Sequence, residues 1–459
     1  MSKYAKEAMV ALGNRRHILG ILVKGLELRF YYFDRAGSIR TTQLNLVRDL
    51  EKVVTAIINI NLLSLSDLGL QPLKGFDPQF PIGQVDSILG SEVSVDGVRY
   101  EVAERLHADP SLYGRGTVVW SATRRPLQDE LVREIILHDD KTTEESRVAE
   151  ERKRVAKRLK HEKIPSSVVL KLSWQLIHKK PDDDLYAIVE ERGIKNVAKL
   201  YGSRIAGRLS DGPRDGLLTS EWYQDRVLRA QVFGPIYQPL SKIREIEAFK
   251  ATFIGCINAH HKLYERAKII HRDISPSNLM FETYGVGAIV DLEHAISVDG
   301  LSLRDDHDVP APPTAAVGTP AFMSIDLHLE AEHRPTRHYY RFDLESFFYS
   351  LAWLATHFHF GQERYSTYFG EWVTGKDQDI LTAKRQYMAA CRDNSFKYDD
   401  STSITETWLP ALGKLFYEGY AARDAARTAK ETFDDETLGG YVTYENFMNI
   451  LASPLTAGL

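Results

Sequence analysis

One stretch of the sequence restricts the fold more than any other. The eight residues His271 to Asn278, HRDISPSN, follow a helical pattern and the apolar pair Ile269–Ile270. The apolar run GAIV comes soon afterwards and leads directly into Asp291. A short apolar run bounded by turn residues is typical of a buried β-strand. The pattern therefore predicts a polar loop that carries Asp273 and Asn278, followed by a strand that places Asp291 just beyond its end.

The residue types in this stretch suit phosphoryl transfer. An Asp of this kind orients an attacking hydroxyl and accepts its proton, while an Asn five positions later holds Mg²⁺ through its carbonyl oxygen. A carboxylate after the next strand bridges a metal ion and phosphates. We therefore predict that Asp273 is a catalytic base and that Asn278 and Asp291 are Mg²⁺ ligands. The alternative is that Asp273 and Asn278 form an ordinary turn and Asp291 caps a loop.

Two features upstream suit the binding of phosphates. Gly114 and Gly116, in the sequence GRGTVV, precede a predicted strand, and glycines let a backbone approach phosphate oxygens closely. Lys171 ends the apolar run VVLK, and a lysine on such a strand is costly unless it is paired. We predict that Lys171 binds phosphates and a helix acid, with Asp184 favoured by spacing. The other candidates for this acid are Glu190 and Glu191.

Downstream, the sequence GTPAFMS (318–324) follows a loop rich in proline and aspartate. A long loop in a compact domain is more often functional or disordered than a plain connection, so this one is a candidate surface for a peptide. Asp343 begins the helical pattern DLESFFYSL. This Asp would be well placed as a buried cap that braces the catalytic loop, although plain N-capping is the commoner explanation for one Asp at a helix start.

Composition excludes several classes of protein. The 459 residues are 43% hydrophobic and carry a formal net charge of −5, which favours neither a disordered chain nor a basic nucleic-acid binder. Two cysteines, Cys256 and Cys391, do not make a disulfide framework. The first residues lack the pattern of a secretory signal, and no apolar run reaches the roughly 18 residues of a membrane span. We predict a soluble intracellular protein, cytoplasmic or nuclear or both, without nucleic-acid or membrane partners.

The order of patterns along the chain predicts an α+β fold. Strand-like runs dominate the first half, and helical patterns such as 249–264 and 344–358 dominate from residue 245 onward. We predict an N-terminal extension of short strands and a helix over residues 1–90, a strand-rich part over 91–238 and a helical part over 239–459. The charged stretch near 139–163 is predicted to be a solvated helix or an insertion.

Taken together, these motifs resemble those of the fungal-type protein kinase family, over nearly the whole chain. The resemblance implies a two-lobed kinase fold, with a small β-rich lobe and a large helical lobe, and an ATP- and Mg²⁺-dependent protein serine/threonine kinase. The sequences that carry it are GRGT (114–117), HRDIS (271–275), GTPAFMS (318–324) and DLESFFYSL (343–351).

The resemblance also implies roles for single residues. Gly114 and Gly116 would cover the phosphates of ATP, and Lys171 would hold the α- and β-phosphates. Arg272, beside the catalytic Asp, would pair with a phosphate on the activation segment. Candidate positions for that phosphate are Thr314 and Thr319. The segment 237–240 would be the hinge that binds adenine.

The sequence departs from the pattern of protein kinases in three places. Leu292–Glu293 replace the usual Phe-Gly after the metal-binding Asp, and Ser275 replaces a lysine that contacts the γ-phosphate in many Ser/Thr kinases. Asp326 stands where a glutamate usually forms an ion pair. Two other functions fit the same fold: a small-molecule hydroxyl kinase of the aminoglycoside or choline type, and a catalytically weak pseudokinase scaffold.

Overall fold

The computed structural model has an α+β fold and divides into two compact units. The first unit comprises Met1–Lys180 and Lys199–Ile236, and the second comprises Pro181–Ala198 and Tyr237–Leu459. None of the helices that the structure describes is long and apolar enough to cross a membrane. The structure describes residues 1–12, 15–64, 67–70, 88–126, 163–214, 224–298, 317–330, 337–359 and 361–452.

The first unit begins with a small antiparallel sheet. Its elements are α1 (Ser2–Leu12), β1 (His17–Lys24), β2 (Glu27–Asp34), β3 (Gly37–Arg40), β4 (Leu44–Asn45) and α2 (Leu50–Asn61). Strand β2 lies in the centre and pairs with β1, β3 and β4. Gly25, with a φ of +60°, makes a turn that the sequence analysis did not predict. The helix predicted within residues 1–90 corresponds to α2, and Leu44 and Asn45 before it pair with β2.

The same unit contains a six-stranded antiparallel sheet, in the order β5-β6-β7-β8-β10-β9. Its strands are β5 (Glu92–Val95), β6 (Val98–Ala108), β7 (Val118–Arg124), β8 (Ser167–Leu176), β9 (Lys199–Arg208) and β10 (Arg226–Gly234). Trp120, Leu170 and Trp174 are buried in its core. Lys171 lies on a strand, β8, as the apolar pattern around it predicts. Its neighbour on β7 is Val119.

The second unit is mainly helical. Its helices are α3 (Asp183–Glu191), α4 (Ile246–Ala267), α5 (Tyr340–His357), α6 (Gly370–Thr374), α7 (Asp377–Arg392), α8 (Leu409–Ala429) and α9 (Tyr444–Ala452). The core is rich in aromatic residues, and Phe348 stacks on Phe416 with ring centroids 5.4 Å apart. Long predicted helices over 249–264 and 344–358 correspond to α4 and α5, because their apolar residues recur at helical spacing.

Short strands lie beside α4. They are β11 (Gln238–Pro239), β12 (Ile269–Ile270), β13 (Leu279–Thr283), β14 (Val286–Ile289), β15 (Ile296–Ser297), β16 (Phe358–His359) and β17 (Gln362–Glu363). Strand β14 packs so closely on α4 that a Cβ on Gly287 would lie 2.2 Å from Thr252 O. Cys256 is buried at this contact. The strand predicted just before Asp291 is therefore confirmed as β14, which ends two residues earlier.

Several predicted features lie outside the described residues. These are nearly all of the charged stretch 139–163, the proline-rich loop before residue 317 with Thr314, and most of the connection over 70–90. The N-terminal sheet and the six-stranded sheet belong to one compact unit. The division of the chain into the segments 1–90, 91–238 and 239–459 stays a prediction.

Candidate active site

The predicted catalytic loop forms a hydrogen-bonded cluster in the second unit. Asn278 Nδ2 donates to the carbonyl O of Asp273 at 2.8 Å and to its Oδ2 at 3.2 Å. The other carboxylate oxygen of Asp273, Oδ1, accepts hydrogen bonds from Thr319 N at 2.9 Å and Thr319 Oγ1 at 2.8 Å. Both oxygens of Asp273 are therefore held in place, and the residue is only 7% exposed.

The cluster identifies a role for Thr319 that the sequence analysis missed. Thr319 was a candidate for phosphorylation, but its hydroxyl is bonded to the Asp273 carboxylate. A phosphate at this position would place two negative charges against each other. The contact joins residues 46 positions apart, and the sequence contains no signal for such a pairing.

Asp291 is positioned by the end of strand β14. Val290 N donates to Asn278 O at 3.2 Å, so the residue just before Asp291 is bonded to the predicted amide ligand. Asp291 has a φ of +67°, and its Oδ1 accepts from Glu293 N at 3.2 Å. The hydroxyl of Tyr186 on α3 accepts from Leu292 N at 3.0 Å. Leu292 and Glu293, the unusual residues, are both buried and belong to a single 3₁₀ turn that Asp291 caps.

His271 links the catalytic loop to the strand before Asp291. Its Nε2–H donates to Val290 O at 3.0 Å, and its Nδ1 accepts from Asp273 N at 3.2 Å. These two bonds fit the neutral Nε2–H form. Burial lowers the pKa of His271, so the neutral form is favoured. The imidazole therefore serves as a structural bridge between Asp273 and the residue preceding Asp291.

Asp343 braces the start of the same loop, which is the less common of the two roles considered for it. Its Oδ2 accepts from His271 N at 2.9 Å and its Oδ1 accepts from Arg272 N at 3.1 Å. Arg272 has a left-handed backbone with a φ of +67°. Hydrogen bonds donated by both amides to one carboxylate stabilise this less favourable conformation. The simple helix-capping alternative is therefore not what Asp343 does.

Two histidines complete the surroundings of Asp343. His260 Nε2 donates to Asp343 Oδ2 at 2.7 Å, and His338 Nε2 lies 3.3 Å from Oδ1. Burial alone would raise the pKa of Asp343, but the hydrogen bonds and charge interactions of both histidines hold it well below its usual value. His260 is fully buried on α4, and its acidic partner lies on a different helix, α5.

The segment after Thr319 is fixed by buried ionic contacts. Asp326 accepts from Arg341 Nη2 at 2.5 Å and from Arg423 Nη1 at 2.7 Å. Although burial alone would raise the pKa of Asp326, the two arginines lower it. Ser324 Oγ donates to Glu345 on α5 at 2.6 Å. The predicted ion pair of Asp326 is therefore confirmed, with two arginines rather than one.

A family model described as fungal protein kinase matches residues 1–167 and 206–355, which is more than half of the chain. The chain belongs to the fungal protein kinase family. Membership in this family makes it a member of a group of phosphotransferases. No curated protein matches the chain.

The family match covers some predicted site residues and not others. It contains both glycines, Asp273, Asn278 and Asp291, but not Lys171 or Asp184, which lie between its two matched parts. For this fungal protein kinase, the assignment of the lysine and its acid therefore depends on sequence pattern and local structure alone.

In this family member, the predicted phosphate-binding residues of the first unit lie on neighbouring strands. Gly114 and Gly116 occupy the loop between β6 and β7 and have φ values of +88° and +47°. Lys171 lies on β8, the strand next to β7, and is 6% exposed. A positive φ strains any residue with a Cβ, which explains why glycine occurs at both loop positions.

Helix α3 of the second unit presents the candidate acids. Asp184 is exposed at the start of the helix, and Glu190 and Glu191 are exposed at its end. Asp182, which precedes the helix, is only 4% exposed. Burial, together with the nearby charges of Asp182 and Asp291, raises the pKa of Tyr186. Of these acids, Asp182 is therefore the one buried close to Asp291.

The donor atoms of the second unit fit a small hard cation. Because the Nδ2 of Asn278 donates to Asp273, its Oδ1 is the side-chain atom that would bind a cation. Mg²⁺ takes one or two protein oxygens together with phosphates and water, rather than a full protein cage. No group of three or more His, Cys, Asp or Glu side chains suited to a metal occurs within the described parts of the chain.

Proposed function

We propose that the protein is an ATP-dependent protein kinase with a two-lobed fold, which transfers the γ-phosphate of Mg-ATP to a serine or threonine hydroxyl. One observation carries the proposal: Asp273 is held by both Asn278 and Thr319, and Asn278 O is bonded to the residue before Asp291. The groups proposed as base, amide ligand and carboxylate ligand thus come from two short segments of the chain.

Asp273 would act as the base. Its Oδ1 accepts two hydrogen bonds from Thr319, and its Oδ2 accepts a longer bond of 3.2 Å from Asn278. The residue is thereby oriented before any substrate binds, which favours the transition state because no reorganisation is needed. We infer that Oδ2 faces the substrate hydroxyl and receives its proton.

Asn278 and Asp291 would hold Mg²⁺ and, through it, the phosphates. A bound Mg²⁺ supplies charge neutralisation on the phosphate oxygens. The φ of +67° at Asp291 and the capping bond to Glu293 N fix where its carboxylate lies. The chain needs no Phe-Gly after Asp291 for this purpose, since the Leu292–Glu293 turn is already anchored by Tyr186.

On the nucleotide side, we assign the loop with Gly114 and Gly116 and the lysine at position 171 to the phosphates of ATP. The acid that would pair with Lys171 is Asp184, which the spacing favours, with Glu190 and Glu191 as the alternatives. The segment 237–240 would contact adenine.

A protein substrate is favoured over a small molecule by the segment that follows Thr319. Its backbone is anchored through Ser324 and Asp326 to helices α5 and α8. Lys384 adds two bonds, to the carbonyl oxygens of Pro320 at 3.1 Å and Met323 at 2.5 Å. A firmly anchored segment beside the base is a suitable platform for a peptide.

The proposal is tested by phosphate transfer from [γ-³²P]ATP to generic protein substrates and to the enzyme itself. We expect Asp273→Asn to lower turnover by about 10³-fold or more, because the base is lost while the shape is kept. Nucleotide affinity should stay within about threefold of the wild type.

A matched control and two contrary outcomes complete this test. Asp424→Asn changes an exposed carboxylate on α8 and should leave turnover unchanged. Wild type that binds Mg-ATP without transferring phosphate would support the pseudokinase alternative. Transfer to small hydroxyl compounds but to no protein would support the other alternative.

A further inference from the structure

A residue of the N-terminal sheet contacts the glycine-containing loop between β6 and β7. Arg35 lies in the turn between β2 and β3 and is 1% exposed. Its carbonyl O accepts from Gly114 N at 2.8 Å, and its Nη1 donates to Ser111 O at 2.7 Å and Leu112 O at 3.4 Å. Arg35 therefore holds the loop through its backbone and through its side chain.

Gly116 makes room for the guanidinium. A Cβ on Gly116 would lie 2.1 Å from Arg35 Cζ and 2.3 Å from Nη1, far closer than the 3.0 Å below which something must shift. A larger residue at position 116 would push the guanidinium out of its site. The absence of a side chain at Gly116 is therefore required by Arg35, in addition to the positive φ of the glycine.

The turn that carries Arg35 is itself firmly anchored. Asp34 is fully buried, and its Oδ1 accepts from Ala36 N at 2.8 Å, Gly37 N at 2.9 Å and Arg214 Nη2 at 2.8 Å. Removing one partner of such a buried ion pair is strongly destabilising. Arg35 is thus presented to the loop by a rigid turn.

Burial of the Arg35 guanidinium costs free energy. Its Nε and Nη2 are buried and have no hydrogen-bond partner among the described residues. Burial lowers the pKa of Arg35 to about 10 despite the nearby Asp109, so the group is still charged at neutral pH. Buried N–H groups without a partner cost free energy. Such a departure from good packing is typical of a residue with a functional task.

We propose that Arg35 is a positioning residue for nucleotide binding. It holds residues 109–117 in the conformation that binds the phosphates of ATP. The N-terminal sheet thereby contributes to nucleotide binding. This inference rests on the proposed function, in which the loop covers the phosphates. Backbone amides bind a phosphate well only when they are oriented in advance, so a loosened loop binds more weakly while the reacting groups stay unchanged.

The first experiment compares Arg35→Ala and Arg35→Lys with the wild type. We expect Arg35→Ala to raise both the Kd and the KM for Mg-ATP by about tenfold, with kcat at saturating ATP within about twofold of the wild type. Arg35→Lys keeps the charge but has one donor group in place of a fork, so its KM should be intermediate. Arg40→Ala, an exposed change on β3, is the control and should match the wild type.

A second experiment follows the loop without nucleotide. Amide hydrogen exchange of residues 109–117 should be about tenfold faster in Arg35→Ala, while exchange in β8 and β10 stays as in the wild type. A loop that exchanges at the wild-type rate would overturn the inference. So would a loosened loop combined with an unchanged Kd for Mg-ATP, or a fall in kcat without a change in KM.

The fit between Arg35 and Gly116 is tested by a double-mutant cycle. Gly116→Ala should destabilise the wild type more than it destabilises Arg35→Ala, because the clash with the guanidinium is absent in that background. Equal effects in both backgrounds would contradict the fit. If the wild type binds no Mg-ATP, both the proposed function and this inference are overturned. If the wild type and Arg35→Ala bind Mg-ATP equally tightly, only this inference is overturned.

Discussion

At the scale of single residues, Asp343 is the centre of the polar contacts behind the catalytic loop. Its two oxygens accept from the backbone of His271 and Arg272 and from the ring of His260. It is 1% exposed, so none of these bonds is replaced by water when one partner is removed. The loop conformation at Arg272 depends on this one carboxylate.

We expect Asp343→Asn to lower the free energy of unfolding by about 2–4 kcal/mol, because an amide offers one acceptor oxygen to several buried donors. Turnover should fall by more than the loss of folded protein explains, since Asp273 follows Arg272 directly. Urea unfolding together with a phosphate-transfer assay would measure both quantities. Unchanged stability would show that the donors find other partners.

Some of these residue-scale features are readable in the sequence and others are not. Asp273 and Asn278 are five positions apart, and Asp343 heads an apolar helix, so local pattern predicts them. The contact of Thr319 with Asp273 and that of His260 with Asp343 join distant segments, 46 and 83 positions apart. Such pairings depend on tertiary packing alone. The residues around a histidine in a helix do not indicate which distant residue it will contact.

At the scale of secondary-structure elements, the close contact of α4 and β14 places Asp291. Gly255 on α4 faces Gly287 on β14, and a Cβ on either glycine would lie less than 3.0 Å from backbone atoms of the other element. A close approach of this kind needs glycine because backbone atoms do not move aside as flexible side chains do. The apolar pattern of β14 predicts the strand, but it does not predict this distance.

Gly287→Ala should therefore destabilise the protein by about 1–3 kcal/mol through overpacking. It should also weaken turnover, because β14 would move away from α4 and carry Asp291 with it. Gly370→Ala is a suitable control, since no atom lies within 4 Å of its added Cβ. Thermal unfolding of both variants, followed by activity at a temperature where both are folded, would separate the two effects.

At the scale of the whole molecule, buried histidines make stability depend on pH. Burial lowers the pKa of His328 to about 4 from its usual value of 6.5, with the charge of Lys384 acting in the same direction. The unfolded chain therefore binds a proton at this histidine at a higher pH than the folded chain does. The stability from this group is fully present above pH 6.5 and is lost as the pH falls toward 4.

We expect the free energy of unfolding to decrease between pH 6.5 and 4, with His328 contributing about 3 kcal/mol at most. His328→Gln should give a shallower slope over this range, because one proton-binding group is removed. Denaturant titrations at several pH values would measure the slope. An identical slope in the variant would mean that other groups, such as His271 and His338, account for the dependence.

The division of the chain into compact units is harder to predict from the sequence than the polar contacts within the catalytic loop. Strand-rich and helix-rich halves follow from hydrophobic periodicity, and the structure agrees with an α+β fold. The N-terminal sheet does not stand apart from the six-stranded sheet, because Asp34 pairs with Arg214 and Arg35 bonds to Gly114. Those contacts join residues 180 and 79 positions apart, which no local pattern records.

The contact of α4 with β14 also determines how the molecule responds to thiol chemistry. The thiol of Cys256 is buried there and donates to Met280 O at 3.5 Å and Ala288 O at 3.6 Å. Burial raises its pKa to about 12, so almost no thiolate exists at neutral pH. An alkylating reagent can modify Cys256 only after helix and strand separate, and the rate of its labelling therefore reports how often they do.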